Sequence, residues 1–91
     1  MHKVNPLDII YIEAYGDYVK VHLEDQQIIT NSTFTAMLTQ LKPYQFIRIH
    51  KSFAINMQRV QKVQGNQVWV AQTMVPIGQK YKTDFLKTLG S

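Results

Sequence analysis

Apolar and polar positions alternate strictly along Tyr18-Val19-Lys20-Val21-His22-Leu23-Glu24. Val19, Val21 and Leu23 point to one side and Tyr18, Lys20, His22 and Glu24 to the other, as in a strand with one face in a core. The stretch before it, residues 8–14, is rich in β-forming residues, with Ile10 and Ile12 facing one layer and Tyr11 and Glu13 the other. Tyr15-Gly16-Asp17 joins the two as a turn, Gly16 being free to take a positive φ. Asp25-Gln26 then turns the chain into a third short strand at residues 27–30.

The period changes after Asn31-Ser32-Thr33. Phe34, Met37, Leu38 and Leu41 fall at i, i+3, i+4 and i+7, one stripe of an amphipathic helix. Ser32 or Thr33 caps its start and Pro43 stops it. Such a stripe belongs against a sheet as core rather than on display as a docking surface. Strand signals resume at Phe46-Ile47-Arg48-Ile49-His50, with Phe46, Arg48 and His50 on one side and Ile47 and Ile49 on the other. Lys51-Ser52 interrupts the pattern before Phe53-Ala54-Ile55 resumes an apolar run. After a turn at Asn56-Met57, strands are expected at residues 58–63, 68–71 and 74–77, joined by a hairpin led by Gly65 and a turn at Gln72-Thr73. Pro76 lacks a ladder donor, which puts the last strand at an edge or ends it there. Gly78-Gln79-Lys80 reads as a loop. Tyr81, Phe85 and Leu89, at four-residue spacing, predict a closing helix of about two turns with Lys82 and Lys87 on its wet side. Many short strands, closely spaced turns and one or two brief helices predict a compact, mainly β, antiparallel multi-sheet domain.

Composition narrows the chemistry. The chain has no cysteine, which removes disulfides, thiol catalysis and thiolate metal sites and fits a reducing cytoplasm. No apolar run has the length of a membrane span and no signal-peptide pattern opens the chain. Met1-His2 and Gly90-Ser91 read as artificial ends, so residues 1–91 are expected to be one domain taken from a longer protein. The net charge of +4 is unevenly placed. Residues 1–42 set Lys3, Lys20 and Lys42 against Asp8, Glu13, Asp17, Glu24 and Asp25, a balance of −2. Residues 43–91 set Arg48, Lys51, Arg59, Lys62, Lys80, Lys82 and Lys87 against Asp84 alone, a balance of +6. A basic half of this kind suits a polyanion, a plain solvated surface being the alternative.

Catalysis is poorly supported. His2, His22 and His50 are scattered, with no ligand-like pair at i+2 or i+4. There is no Gly-rich phosphate loop and no nucleophile elbow. Ser52 with His50 is the one nucleophile candidate, and no carboxylate lies nearby to orient the histidine. No catalytic residue, metal site or cofactor is expected. Binding fares better, because Lys51-Ser52 and Gly78-Gln79-Lys80 both follow strands and carry donors without acidic neighbours, as phosphate recognition requires. Gln79 suits an adenine edge, Lys80 can reach guanine O6 or N7, and Gly78 lets the backbone come close. Taken alone, this second segment is slightly better read as an ordinary solvated turn. His50 is better placed to bond neighbouring backbone than to contact DNA. Tyr15 and Tyr18 are better placed to pack on the open face of the first hairpin than to stack on single-stranded bases.

Three blocks carry a family resemblance: Ile10-Tyr11-Ile12-Glu13-Ala14-Tyr15-Gly16-Asp17-Tyr18-Val19, Phe46-Ile47-Arg48-Ile49-His50-Lys51-Ser52-Phe53-Ala54-Ile55-Asn56, and Val75-Pro76-Ile77-Gly78-Gln79-Lys80-Tyr81. In order and spacing they resemble the LytTR-type DNA-binding domain, the output module of many bacterial response regulators of the LytR/AlgR type. The middle block is the most specific, with F-x-R-x-H-[KR]-S followed by Asn four residues after the Ser. The segment 32–41 falls where that family places its short helix. The resemblance implies a compact all-β fold of antiparallel sheets with little helix, acting in the cytoplasm in transcription regulation by a two-component system. It implies sequence-specific binding of double-stranded DNA by loops that enter successive major grooves, usually at imperfect direct repeats in promoters and often with bending. A receiver domain would lie in the parent chain, and the isolated domain would be monomeric, pairing on DNA, with no membrane partner.

By position, the resemblance brings the loop around Gly16-Asp17-Tyr18 to base edges, gives Lys51 with Ser52 the intervening phosphates, and sends Gly78-Gln79-Lys80 into the other groove. Base reading then falls to Asp17, Tyr18, Gln79 and Lys80, and phosphate holding to Lys51, Ser52 and Lys82, with His50 and Gly78 as further candidates. One departure bears on specificity. The family commonly has Ser-Arg where this chain has Gly78-Gln79, so a guanine contact is lost and Gln79 would prefer adenine. Asp17, being acidic, can only accept from a cytosine amine or orient its own loop. The competing function is a β-rich interaction module that binds an acidic protein or RNA through its basic face.

Overall fold

The alternation at residues 18–24 and the β-rich stretch before it become a tight antiparallel hairpin in the computed structural model, which describes residues 4–90. Met1, His2, Lys3 and Ser91 lie outside the described residues. The hairpin strands are Tyr11–Tyr15 (β1) and Tyr18–His22 (β2), and Tyr15 faces Tyr18 across Gly16-Asp17, with Gly16 at φ 58°. Gln27–Thr30 (β3) pairs with β2. Phe34–Leu41 (α1) starts where the Thr33 hydroxyl accepts from the Ala36 N–H at 3.1 Å, and the chain then tightens into a 3₁₀ turn, Lys42–Tyr44, around Pro43. Phe46–His50 (β4) and Phe53–Asn56 (β5) form the next hairpin across Lys51-Ser52. β5 also pairs with β1, giving one antiparallel sheet in the order β3-β2-β1-β5-β4. Val60–Gln64 (β6), Gln67–Val70 (β7) and Thr73–Pro76 (β8) make a second antiparallel sheet, and Gln79–Leu89 (α2) closes the chain.

The larger sheet is covered on both faces. Ile12, Val19, Val21, Phe46 and Ala54 pack with Leu38 and Leu41 of α1. Ile49 and Ile55 pack on the opposite face with Val68, Val70 and Val75 of the smaller sheet and Phe85 of α2. Ala54 and Ile55 are successive residues on opposite sides of one pleat, which explains why β5 reads as a continuous apolar run instead of alternating. Asn56 is the one buried polar side chain among the described residues, 1% exposed. Its Nδ2 donates to the Ile9 carbonyl and its Oδ1 accepts from the Gln58 N–H, both at 2.9 Å. That side chain ties the chain's first turn to the end of β5.

Several boundaries differ from the sequence expectations, each for a local reason. β1 begins at Tyr11 and not at residue 8, because Asn5 Oδ1 accepts from the Leu7 N–H and Pro6 opens a 3₁₀ turn, Pro6–Asp8. The pleat does not extend back across that junction: Ile9 enters the first cluster and Ile10 the second, so Ile10 and Ile12 lie in different layers. The Asn56 cap makes Met57–Arg59 a 3₁₀ turn, which delays β6 to Val60. The β7–β8 turn is Ala71-Gln72, both in the left-handed region at φ 46° and 69°, so β8 starts at Thr73. β8 is an edge strand, as Pro76 requires.

The largest correction concerns Gly78-Gln79-Lys80, expected as a loop. Gly78 is instead the N-cap of α2, and Gln79 and Lys80 open its first turn, giving a helix of eleven residues rather than two turns. No side chain caps this end, so the usual Ser/Thr/Asp/Asn signal was missing. No helix among the described residues is long and apolar enough to cross a membrane.

Candidate nucleic-acid interface

Antiparallel pairing of β1 with β5 sets Glu13 opposite Phe53, so the β1–β2 and β4–β5 turns emerge at the same end of the sheet. The Ala14 N–H donates to the Ser52 carbonyl at 2.8 Å and fastens them side by side. On the other flank the Gly78 N–H donates to the Ile49 carbonyl at 2.7 Å. Gly16-Asp17, Lys51-Ser52 and the start of α2 therefore stand in a row, with Lys51-Ser52 in the middle. Lys51 and Gln79 are each one residue from a tight crossing: a Cβ on Gly78 would lie 3.2 Å from Tyr81 Cδ2 and 3.5 Å from His50 Cα. Gly78 has an ordinary φ of −75°. Its missing side chain serves close approach, not backbone conformation.

The middle turn turns its acceptors inward. Arg48 Nε donates to the His50 carbonyl at 3.2 Å, Arg48 Nη2 donates to the Lys51 carbonyl, and Ala14 takes the Ser52 carbonyl. The Ser52 N–H donates to His50 Nδ1 at 3.1 Å. Nδ1 must therefore carry a lone pair, which places the proton of the neutral ring on Nε2. The ring also packs against Phe53, centroids 5.3 Å apart. Three successive carbonyls are thus satisfied by the protein, while the Lys51 side chain is exposed and makes no ion pair among the described residues. That pattern favours an anion over a cation.

The remaining candidates fall on the same end in different states. Asp17 and Tyr18 are exposed at the first turn, and Gln79 and Lys80 are exposed at the helix start. Ser52 is half-buried. Lys82 is half-buried and donates to Asn66 Oδ1 at 2.7 Å, and the Asn66 carbonyl accepts from Ile77 at 2.7 Å. This joins α2 to the Gly65-Asn66 turn. Tyr15 and Tyr18 are exposed, and the Lys20 ammonium lies 4.1 Å over the Tyr15 ring. Glu13, the nearest carboxylate on β1, is occupied by His22 Nε2 at 3.0 Å, with the His22 ring stacked on Tyr11 at 4.0 Å. Burial, and then the Glu13 charge, raise the Tyr11 phenol above its usual 10.0.

Sequence reasoning gave Arg48, Lys20 and Asn66 no role at this end. Arg48 carried a faint signal, a basic residue two positions before His50 with no acid near it in sequence. Its partners are distant: the guanidinium carbon lies 4.9 Å from the Phe34 ring centroid and 5.5 Å from that of Tyr81. A groove of 970 Å³ between α1 and α2 has Arg48 in its wall, with Phe46, Ile47 and Met57, but neither His50 nor Ser52 lines it. The Ser52–His50 pair gains no cavity there in which to act on a substrate.

Known proteins resemble this chain over most of its length. The family described as LytTr DNA-binding domain matches residues 1–90. An uncharacterized response regulatory protein of Vibrio cholerae is 30% identical over 77 residues, covering 77% of this chain and 30% of that protein. The sensory transduction protein LytT of Bacillus subtilis is 25% identical over 92 aligned positions, covering 94% of this chain and 38% of LytT. The chain thus spans about a third of the length of these curated relatives. Among solved structures, the LytTr DNA-binding domain of a Bacillus cereus protein described as a methyl-accepting/DNA response regulator shares the fold. Its TM-score is 0.82 at 23% identity, over 97% of this chain and 86% of that one.

Proposed function

From the premise that the chain belongs to the LytTr DNA-binding domain family, we propose that residues 1–91 are the sequence-reading output domain of a longer, cytoplasmic bacterial transcription regulator, with a receiver domain elsewhere in the parent chain. The observation that carries this reading is the pair of backbone hydrogen bonds, Ala14 to Ser52 and Gly78 to Ile49, that holds three segments in a row. Lys51 and Ser52, in the middle, hold phosphates of the backbone between two stretches of major groove. Asp17 and Tyr18 face base edges on one side, Gln79 and Lys80 on the other.

The helical start of α2 sharpens the second contact. Amide donors at a helix N-terminus have no helical acceptors, and the dipole there attracts negative charge. Lys80 adds a cation to that end, and no acid occupies the first turn. Gln79, fixed at the first helical position, has a defined direction suited to a bidentate bond with adenine N6 and N7. Lys82, held by Asn66, braces α2 and adds its charge to the phosphate side. The domain works by positioning and readout with no bond made or broken. One copy binds as a monomer, and two pair on adjacent imperfect direct repeats.

The test is selection of bound duplexes from a random pool, followed by titration of the selected duplex, a matched single strand, RNA and an acidic protein at rising salt. The proposal expects one recovered motif, preference for duplex and a steep salt dependence. Equal or tighter binding of RNA or the acidic protein would replace it with the interaction-module reading.

A further inference from the structure

We infer that Arg48 is a positioning residue for DNA backbone binding: its guanidinium orders the Lys51-Ser52 turn and through it aims Lys51 at a phosphate. The inference rests on the phosphate-holding reading of that turn. Arg48 contacts three parts of the chain at once. It donates to the His50 and Lys51 carbonyls, and it lies over the rings of Phe34 at the start of α1 and Tyr81 in the first turn of α2. It makes no ion pair among the described residues, although Asp84 lines the same groove. Its hydrogen bonding is therefore directed to the turn rather than to an acid.

Only a planar fork does this. One guanidinium can hold two neighbouring carbonyls and still present a face to aromatic rings, whereas an ammonium is a compact point charge. The electrostatic result matters for an anion. With Arg48 in place, the carbonyl oxygens of residues 50 and 51 are turned toward the protein and partly neutralised. The outward side of the turn is left to the Lys51 ammonium and the Ser52 hydroxyl. Without the fork, those oxygens are free to face solvent, where they would repel a phosphate and let the Lys51 side chain sample other directions.

Arg48→Lys keeps the charge and removes the fork. Binding is measured to a mixed-sequence duplex at low salt, since backbone contacts do not depend on sequence, for the wild type, Arg48→Lys, Lys51→Ala and the double variant. Amide hydrogen exchange at Ser52 is followed in the DNA-free protein. The inference expects Arg48→Lys to bind about tenfold more weakly and to exchange Ser52 about tenfold faster, and to cost almost nothing further once Lys51 is alanine. Unchanged Ser52 exchange overturns it, as does an equal loss of affinity in both backgrounds, which would make Arg48 a general structural residue. If Lys51→Ala alone leaves affinity unchanged, the phosphate-holding reading itself has failed and the inference falls with it, a result distinguishable from the other two. Phe34→Leu removes a ring beneath the guanidinium without touching the turn, and is expected to shift Ser52 exchange and duplex affinity in the same direction. It serves in place of Arg48→Lys if that variant does not fold, and no shift from it would then overturn the inference.

Discussion

The Gly78 amide donates to the Ile49 carbonyl at 2.7 Å, joining the chain just beyond the smaller sheet to β4 of the larger one. Through this contact, residues almost thirty positions apart in sequence form one face with Lys51 at its centre. The crossing leaves little room for a side chain. In Gly78→Ala, the new methyl would press on Tyr81 Cδ2 at 3.2 Å, so the Tyr81 ring or the helix start would have to shift by a few tenths of an ångström. We expect a stability loss of about 1 kcal/mol and a disproportionate loss of duplex affinity. Thermal melts and anisotropy titrations on the same samples measure both, and affinity that falls no more than stability predicts would remove the crossing from the interface.

Lys51→Ala should weaken binding to every duplex by a similar factor, because phosphate contacts carry no sequence information. The slope of log affinity against log salt should flatten by about one charge. An unaltered slope would take Lys51 out of the phosphate set.

Gln79→Ala should act at one base pair. Discrimination there should fall by about 1–3 kcal/mol while binding to unrelated duplexes stays nearly constant. Random-pool selection with both proteins gives the answer, and identical recovered motifs would mean that Gln79 reads nothing.

Asn56→Ala should be the most damaging to the fold, with a loss of about 2–4 kcal/mol. It strands the buried Ile9 carbonyl and uncaps the Met57–Arg59 turn. Urea denaturation measures it, and a loss below 1 kcal/mol (roughly the level of a surface change) would mean that water replaces the amide.

Stability should fall at high pH through Tyr11. Its phenol is raised above 10.0, chiefly by burial and further by Glu13, so the folded chain keeps this proton longer than the unfolded chain. The contribution is complete below the unfolded value and is lost as pH rises through the folded one. Tyr11→Phe should flatten the decline that sets in as pH rises above 10.0 in denaturant titrations. An unchanged decline would assign it to other groups.

Much of this architecture could be read from local pattern. Val19, Val21 and Leu23 define β2, the Phe34-Met37-Leu38-Leu41 stripe defines α1, and the interruption at Lys51-Ser52 marks the central turn, since each depends on neighbours within a few positions. What could not be read depends on distant partners. Gly78 caps a helix by docking on β4, so no capping side chain announces α2. Ile9 and Ile10 diverge because one layer lies on each side of β1, which only the pairing of β1 with β5 establishes. The Asn of the middle block was visible as a motif residue, but its purpose required Ile9, 47 positions earlier. Arg48 was opaque for the same reason, its rings coming from two helices on either side of it in sequence.

The Ala71-Gln72 corner holds two non-glycine residues at positive φ, each costing on the order of 1–2 kcal/mol relative to a relaxed backbone. It sits at the far end of β7 from the Gly65-Asn66 turn and so from the row formed by Gly16-Asp17, Lys51-Ser52 and the start of α2. Heat tolerance is therefore expected to be separable from the proposed DNA contacts: an Asn-Gly pair at that corner would relieve the strain and offer an engineer a more stable scaffold while leaving that row of segments unchanged.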